Sequence, residues 1–223
     1  MINASALDNG LHAGDLKFVD LDGNNKIEQT TSANDRKDMK VIGNSLPRYN
    51  YNFGISADWY GIDFSVLFQG IGKQNWYPGA ETSMFWGPYS RPYASFIPSD
   101  FMSQVWSEEN TDAYFPRPRG YVALGSNREL AVVNTKYLQN LAYCRLKNLS
   151  IGYTLPNKWL SKIGFEKIRV YFSGENLLTF TKLHSDYIDP EQASASNSWK
   201  TSKSDANIYP WAKTYSFGVD ITF

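Results

Sequence analysis

Between residues 214 and 223 apolar and polar side chains alternate without a break. Tyr215, Phe217, Val219, Ile221 and Phe223 share one phase, and Thr214, Ser216, Gly218, Asp220 and Thr222 share the other. A two-residue period is that of an extended strand with one face in an apolar medium and one in a polar medium. Ten residues at a tilt are enough to cross a hydrocarbon layer, and the same alternation suits an edge strand of a soluble antiparallel sheet. The stretch alone leaves both readings open.

Four further stretches repeat the pattern. In residues 48–59, Tyr49, Tyr51, Phe53, Ile55, Ala57 and Trp59 oppose Asn50, Asn52, Gly54, Ser56 and Asp58. In 62–70, Ile62, Phe64, Val66 and Phe68 oppose Asp63, Ser65, Leu67 and Gln69. Only Tyr60-Gly61 separates these two runs, which predicts an antiparallel hairpin. Residues 143–155 form a fourth strand with Leu149, Ile151, Tyr153 and Leu155 in phase. Read at strict period two, Arg145 and Lys147 share that outward phase, so they are expected at headgroup level or beyond it. Residues 167–180 form a fifth, with Ile168, Val170 and Phe172 against Arg169, Tyr171 and Glu175.

The connections alternate in length: long before residue 48, short at 60, very long from 71 to 138, short at 156–166 and long from 181 to 212. All long connections therefore open on one side of the sheet and all short ones on the other, the asymmetry of an outer-membrane barrel. The fold expected is all-β, an antiparallel transmembrane β-barrel segment with long loops on one side. Residues 1–47 are read as a loop region and 48–223 as barrel strands with their loops. Five strands cannot close a barrel, so the segment belongs to something larger. The alternative is a secreted carbohydrate-binding β-sandwich.

Composition narrows the function without choosing the fold. With 22 basic and 22 acidic groups among 223 residues, and no basic run, nucleic acid is excluded as a partner. Cys144 is the only cysteine, so neither a disulfide framework nor a thiolate metal cluster forms. Two histidines, His12 and His184, and no paired-acid motif leave no general base or nucleophile to assign, and no enzyme is expected. Asp186, Asp189 and Glu191 read as a solvated acidic loop. No apolar run reaches the length of a membrane helix, and residues 1–10 lack a signal-peptide pattern, which predicts a cytosolic chain or one whose true start lies upstream. The aromatic content is 16%. In the 71–138 loop, Trp76, Trp86, Tyr89 and Trp106 are the candidates for stacking on a sugar ring; packing against one another is the competing reading. One short helix is expected from residue 99 or 100 to 106.

Residues 20–28 carry a second candidate. Asp20, Asp22, Asn24 and Glu28 stand at positions one, three, five and nine of a calcium loop, with the Lys26 carbonyl at seven. Asn25 replaces the glycine at position six and Thr31 the bidentate acid at twelve; Asp35 is the carboxylate that would complete the set if the chain bulges between. Calcium is the cofactor such a loop takes, and a solvated Asp/Asn turn is the alternative.

The series GDLKFVDLDGNNKIE (14–28), NDRKDMKVIGNSLPRYNYNFG (34–54), YGIDFSVLFQG (60–70), VWSEENTDAYFPRP (105–118), YLQNLAYCRLKNLSIGYTLP (137–156), KIRVYFSGENLLTFTK (167–182), DYIDPE (186–191) and YSFGVDITF (215–223) resembles the C-terminal portion of SusC-like TonB-dependent transporters of Bacteroidetes outer membranes. The blocks follow the family's order along nearly the whole chain. The resemblance implies a plugged barrel of 22 strands, of which these would be the last five. It also implies import of oligosaccharides or peptides, a SusD-like surface lipoprotein as partner, and energy delivered through TonB. The TonB box, plug and carboxypeptidase-like domain of the family have no counterpart here. The family's acidic loop, Asp-x-Asn-Gly-Asp-Gly-x-Ile-Asp followed closely by Asp-Arg, is matched only in part, at Asn25 and in the spacing to Asp35.

Overall fold

Strands β1 (Arg48–Trp59), β2 (Ile62–Lys73), β5 (Tyr143–Thr154), β6 (Lys167–Thr181) and β8 (Thr214–Thr222) form one antiparallel sheet in the order β1-β2-β5-β6-β8. Three short strands, β3 (Asn75–Pro78), β4 (Gln139–Asn140) and β7 (Lys203–Ser204), form a second sheet in the order β4-β3-β7. The structure is a computed structural model that describes residues 12–30, 32–90, 97–125, 128–161, 164–196, 203–204 and 209–223. Thr31 lies outside them. The chain divides into two compact units: a loop unit of Met1–Ser45, Trp76–Gln139 and Ser196–Ile208, and a sheet unit of Leu46–Asn75, Asn140–Ala195 and Tyr209–Phe223. The division expected from sequence is 1–47 against 48–223; the compact units group residues 76–139 and 196–208 with the N-terminal region.

Tyr60 and Gly61 both have positive φ, 46° and 86°, the geometry that matches the twist of a two-residue hairpin. That turn fixes Ile55 opposite Val66 and Ser56 opposite Ser65. Carried across the sheet, the register places Ala57, Phe64, Ile151, Phe172 and Phe217 in one row, and Ile55, Val66, Leu149, Gly174 and Tyr215 in the next. This face is apolar in all five strands. Phe53 stacks on Phe68 with ring centroids 5.0 Å apart, and Phe172 lies 5.1 Å from Phe217. The opposite face carries a row of five serines, Ser56, Ser65, Ser150, Ser173 and Ser216, one from each strand.

The register corrects one expectation. Pairing slips between Leu146 and Asn148, so Lys147 is an extra residue, a β-bulge that reverses the phase of everything before it. Arg145 therefore shares a row with Gln69 and Thr179 on the polar face and points away from the apolar one. In β6 the matching irregularity is at Asn176, with φ 53°, and Leu177.

Register also shows where the chain leaves the sheet. Arg48 pairs with Lys73, Ile71 with Tyr143, and Tyr143 with Thr181, so all the long connections depart from one end. The Tyr60-Gly61 turn and residues 155–161 and 164–166, which include helix α2 (Asn157–Leu160), lie at the other. The sheet is open, with β1 and β8 at its edges.

The loop unit is held by aromatic packing. Phe115 is the hub, with ring centroids at 4.8 Å from Phe101, 5.7 Å from Phe85, 5.8 Å from Tyr89 and 6.0 Å from Tyr137. Helix α1 (Ser83–Trp86) inserts Phe85 and Trp86 into this cluster. The helix expected over 99–106 is one 3-10 turn, Phe101–Gln104, and it buries Phe101.

Candidate functional site

The polar face of the sheet is the first candidate, because two arginines there organise carboxylates from distant parts of the chain. Arg145 is buried. Its Nη2 donates to Asp189 Oδ2 at 2.6 Å, Nη1 to Glu191 Oε2 at 2.6 Å and Nε to Thr179 Oγ1 at 2.9 Å. Lys147 adds Nζ to Glu191 Oε1 at 3.1 Å and stands 5.0 Å from the Trp211 ring centroid. Asp189 also accepts from the backbone N–H groups of Glu191 and Trp211. The segment that begins helix α3 (Pro190–Ser196) is thereby strapped to β5. The solvated acidic loop expected here is corrected: Asp189 is buried, since the bulge at Lys147 turns a guanidinium toward it. The pairing spans more than forty residues, and no local signal in the sequence announces it.

Nearer the short turns, Arg169 makes a two-point contact with Asp63, Nε to Oδ1 at 2.8 Å and Nη2 to Oδ2 at 2.6 Å, and reaches Asp220 at 3.1 Å. Gly152 leaves the space this guanidinium occupies. Tyr171 lies over Gly218 in the same manner. On the apolar face, exposed rings gather at the short-turn end: Trp59 packs edge-on against Tyr60 at 5.2 Å, and Phe223 against Phe165 at 5.5 Å.

The stacking candidates of the loop unit are placed otherwise than a sugar platform requires. Trp76, Trp86 and Tyr89 are buried, the last two in the ring cluster; Trp86 Nε1 donates to the Gly79 carbonyl at 3.0 Å and the Tyr89 hydroxyl to the Pro116 carbonyl. Trp106 is half-buried and its indole covers Gly14, whose φ of 87° no side chain would favour. None of the first three offers a ring face to a ligand, because all three are buried, and Trp86 and Tyr89 already pack against neighbouring rings. Burial pushes the hydroxyls of Tyr77, Tyr89 and Tyr137 well above the usual phenol value.

The acidic loop folds around its carboxylates. Asp20 accepts from the N–H groups of Gly23 and Asn25, and Asp22 from Asn24, while Asn25 takes the left-handed conformation with φ 61°. Desolvation raises the Asp20 carboxyl, and the backbone donors of Asn25 and Gly23 outweigh it, so its net shift is downward. The carboxylate that joins Asp20 and Asp22 is Asp38; ligand oxygens of the three lie within 4.8 Å of one another. Asp35, the expected member, is corrected: it pairs with Lys37 at 3.4 Å, and so does Glu28 at 3.6 Å. The reversal at Lys37, with φ 47°, carries Asp38 back to the loop, where it accepts from the N–H groups of Leu21 and Glu28. Asn24 turns its amide to Asp22 and Glu28, and its Oδ1 accepts from the N–H of Lys26. Three clustered carboxylates are hard oxygen donors, the ligand type that calcium takes.

Beside this loop runs a groove of about 1090 Å³, walled by residues 15–19, 21, 27–30, 38–40, 42 and 132–136. Its apolar lining includes Leu16, Phe18, Val19, Met39, Ile42 and Val132.

No family model matches the chain. TonB-dependent receptor P3 of Formosa agariphila is 31% identical over 212 residues, covering 92% of this chain and 19% of the receptor. TonB-dependent receptor P26 of the same organism is 26% identical over 227 residues, covering 100% of the chain and 21% of the receptor. Among solved structures, that of the RagAB peptide transporter superposes with a TM-score of 0.54 at 26% identity, over 80% of this chain and 17% of that one. The chain belongs to the SusC-like TonB-dependent receptors. The RagAB peptide importer in its open-open state, at 22% identity and a TM-score of 0.56 over 88% of this chain and 19% of that one, matches in fold. This SusC-like chain spans about a fifth of the length of the curated relatives it matches.

Proposed function

We propose that the chain is a wall segment of an outer-membrane transporter whose sheet continues through further strands into a closed barrel of 22. The whole protein would import oligosaccharides or peptides together with a SusD-like surface lipoprotein and draw energy through TonB. The observation that carries this reading is the apolar face, unbroken over five strands and exposed in every one of them. Water would penalise such a face, at roughly 25 cal/mol per Å² of apolar surface, whereas lipid would not. The unpaired edges β1 and β8 support the same reading, because backbone groups in hydrocarbon need partners and further strands supply them. A soluble carbohydrate-binding sandwich would need a second layer over the apolar rows, and two of its three candidate tryptophans, Trp76 and Trp86, are buried. No catalytic role is proposed. The Asp20–Asp22–Asp38 loop would hold a calcium ion as a structural element.

The test uses the whole receptor in its membrane. A bimane attached to cysteine in place of Ile151 is quenched by brominated lipid, and one in place of Ser150 is not. Equal quenching at the two positions refutes the wall reading. Loss of growth on peptide or oligosaccharide as sole nutrient in a deletion strain tests transport.

A further inference from the structure

The groove of the loop unit has walls that join no ladder among the described residues: 16–19, 27–30, 39–40 and 42. Val19 stands largely exposed along it, and Phe18 is its one aromatic ring. Three carboxylates line it, and each is answered from within. Asp15 is paired with Arg117 at 3.3 Å, Glu28 with Lys37 at 3.6 Å, and Asp38 accepts from two backbone N–H groups. Its three ammonium groups are not answered in that way. Lys17 and Lys40 are exposed and make no ion pair among the described residues, and Lys136 stands 5.8 Å from the centroid of the Tyr137 ring and feels the charge of Asp112 without a direct ion pair to it.

We propose that this groove binds a short acidic peptide in extended conformation, arriving from solution as cargo. The backbone of the guest would pair with the unladdered walls, which is how a sheet edge captures a strand. Alternate side chains would fall on the apolar lining and their carboxylates on Lys17, Lys40 and Lys136. A sugar chain fits less well, since it wants exposed rings to stack on and the groove provides one. The volume lies at the upper end of the range for small-ligand pockets, as a peptide of several residues requires. The inference takes from the transport reading only that cargo exists, so a binding assay can fail while uptake assays succeed.

The experiment measures binding to the whole detergent-solubilised receptor by fluorescence anisotropy. The probes are a labelled eight-residue peptide alternating glutamate and valine, its lysine–valine counterpart and an oligogalacturonide. The glutamate peptide is expected to bind, more weakly as salt rises. Combining Lys17→Glu, Lys40→Glu and Lys136→Glu is expected to weaken it by roughly tenfold or more and to reverse the preference toward the lysine peptide. The neutral set Lys17→Gln, Lys40→Gln and Lys136→Gln gives an intermediate loss and guards against misfolding in the reversed set. Absence of binding, equal binding to native and charge-reversed receptor, or an oligogalacturonide that binds as tightly as the glutamate peptide would each overturn the proposal.

Discussion

In the sheet unit Phe217 keeps 83% of its surface exposed and Trp59 keeps 69%, while in the loop unit Trp76 and Trp86 keep none. The rings are chemically alike, so the difference belongs to what surrounds each unit. Around the loop unit the surroundings are water, and rings hide by interlocking around Phe115. On the apolar face of the sheet the proposed surroundings are hydrocarbon, where rings left facing outward lose nothing by not hiding. Polar groups show the reverse. Arg145 is sunk into the polar face of the sheet with its carboxylates, whereas the charges of the acidic loop stand mostly at the surface.

The contrast can be broken most forcefully at its hub. Phe115→Ala should cost the loop unit about 3–5 kcal/mol, enough to loosen the cluster. Hydrogen exchange should accelerate in peptides from 76–90 and 114–137 while the strands keep their protection; acceleration in the strands as well would mean the two units do not fold separately. On the sheet, Ile151→Arg should cost about 2–4 kcal/mol of stability in lipid if it lies near the bilayer centre, and the neighbouring Ser150→Arg much less. Urea titration of the receptor refolded into vesicles reads both, and equal costs would erase the distinction between the faces.

The smallest effect is one of pH. Glu129 is buried, and that burial raises its carboxyl above the ordinary value of about 4.5 although Arg119 donates to Oε1 at 2.8 Å; Oε2 has no hydrogen-bond partner. The folded unit therefore holds the proton more tightly than the unfolded chain does. Its stability should rise as pH falls from neutral toward the ordinary value, and the gain is lost as pH climbs through the raised one. Glu129→Gln should flatten this dependence in a thermal melt followed by exchange of residues 120–137. A slope that survives the substitution points to another group.

Strand positions were legible because a two-residue period is local. Residues 48–59 read as a strand from the alternation alone and form β1 with those limits. The Tyr60-Gly61 turn was legible for the same reason: two adjacent residues are its whole cause. The phase of Arg145 was not, because a bulge depends on how neighbouring strands line up, and the one extra residue, Lys147, looks like any other in the run. Asp38 was passed over for Asp35 because spacing counts residues, while the reversal at Lys37 decides which carboxylate comes back. The rings of residues 76–115 carried no sign of their fate, since a buried ring and a stacking ring are the same letter; only the long-range cluster around Phe115 tells them apart.

The serine row has a consequence of its own. At that height every strand contributes one hydroxymethyl group, the shortest polar reach a side chain has, while Tyr171 and Arg169 project on one flank and Glu175 and Arg145 on the other. The polar face therefore carries a line of short side chains running crosswise to the strands. Each hydroxyl can both give and receive a proton bond, so anything sliding past meets a footing that accepts it in many orientations and grips it in none.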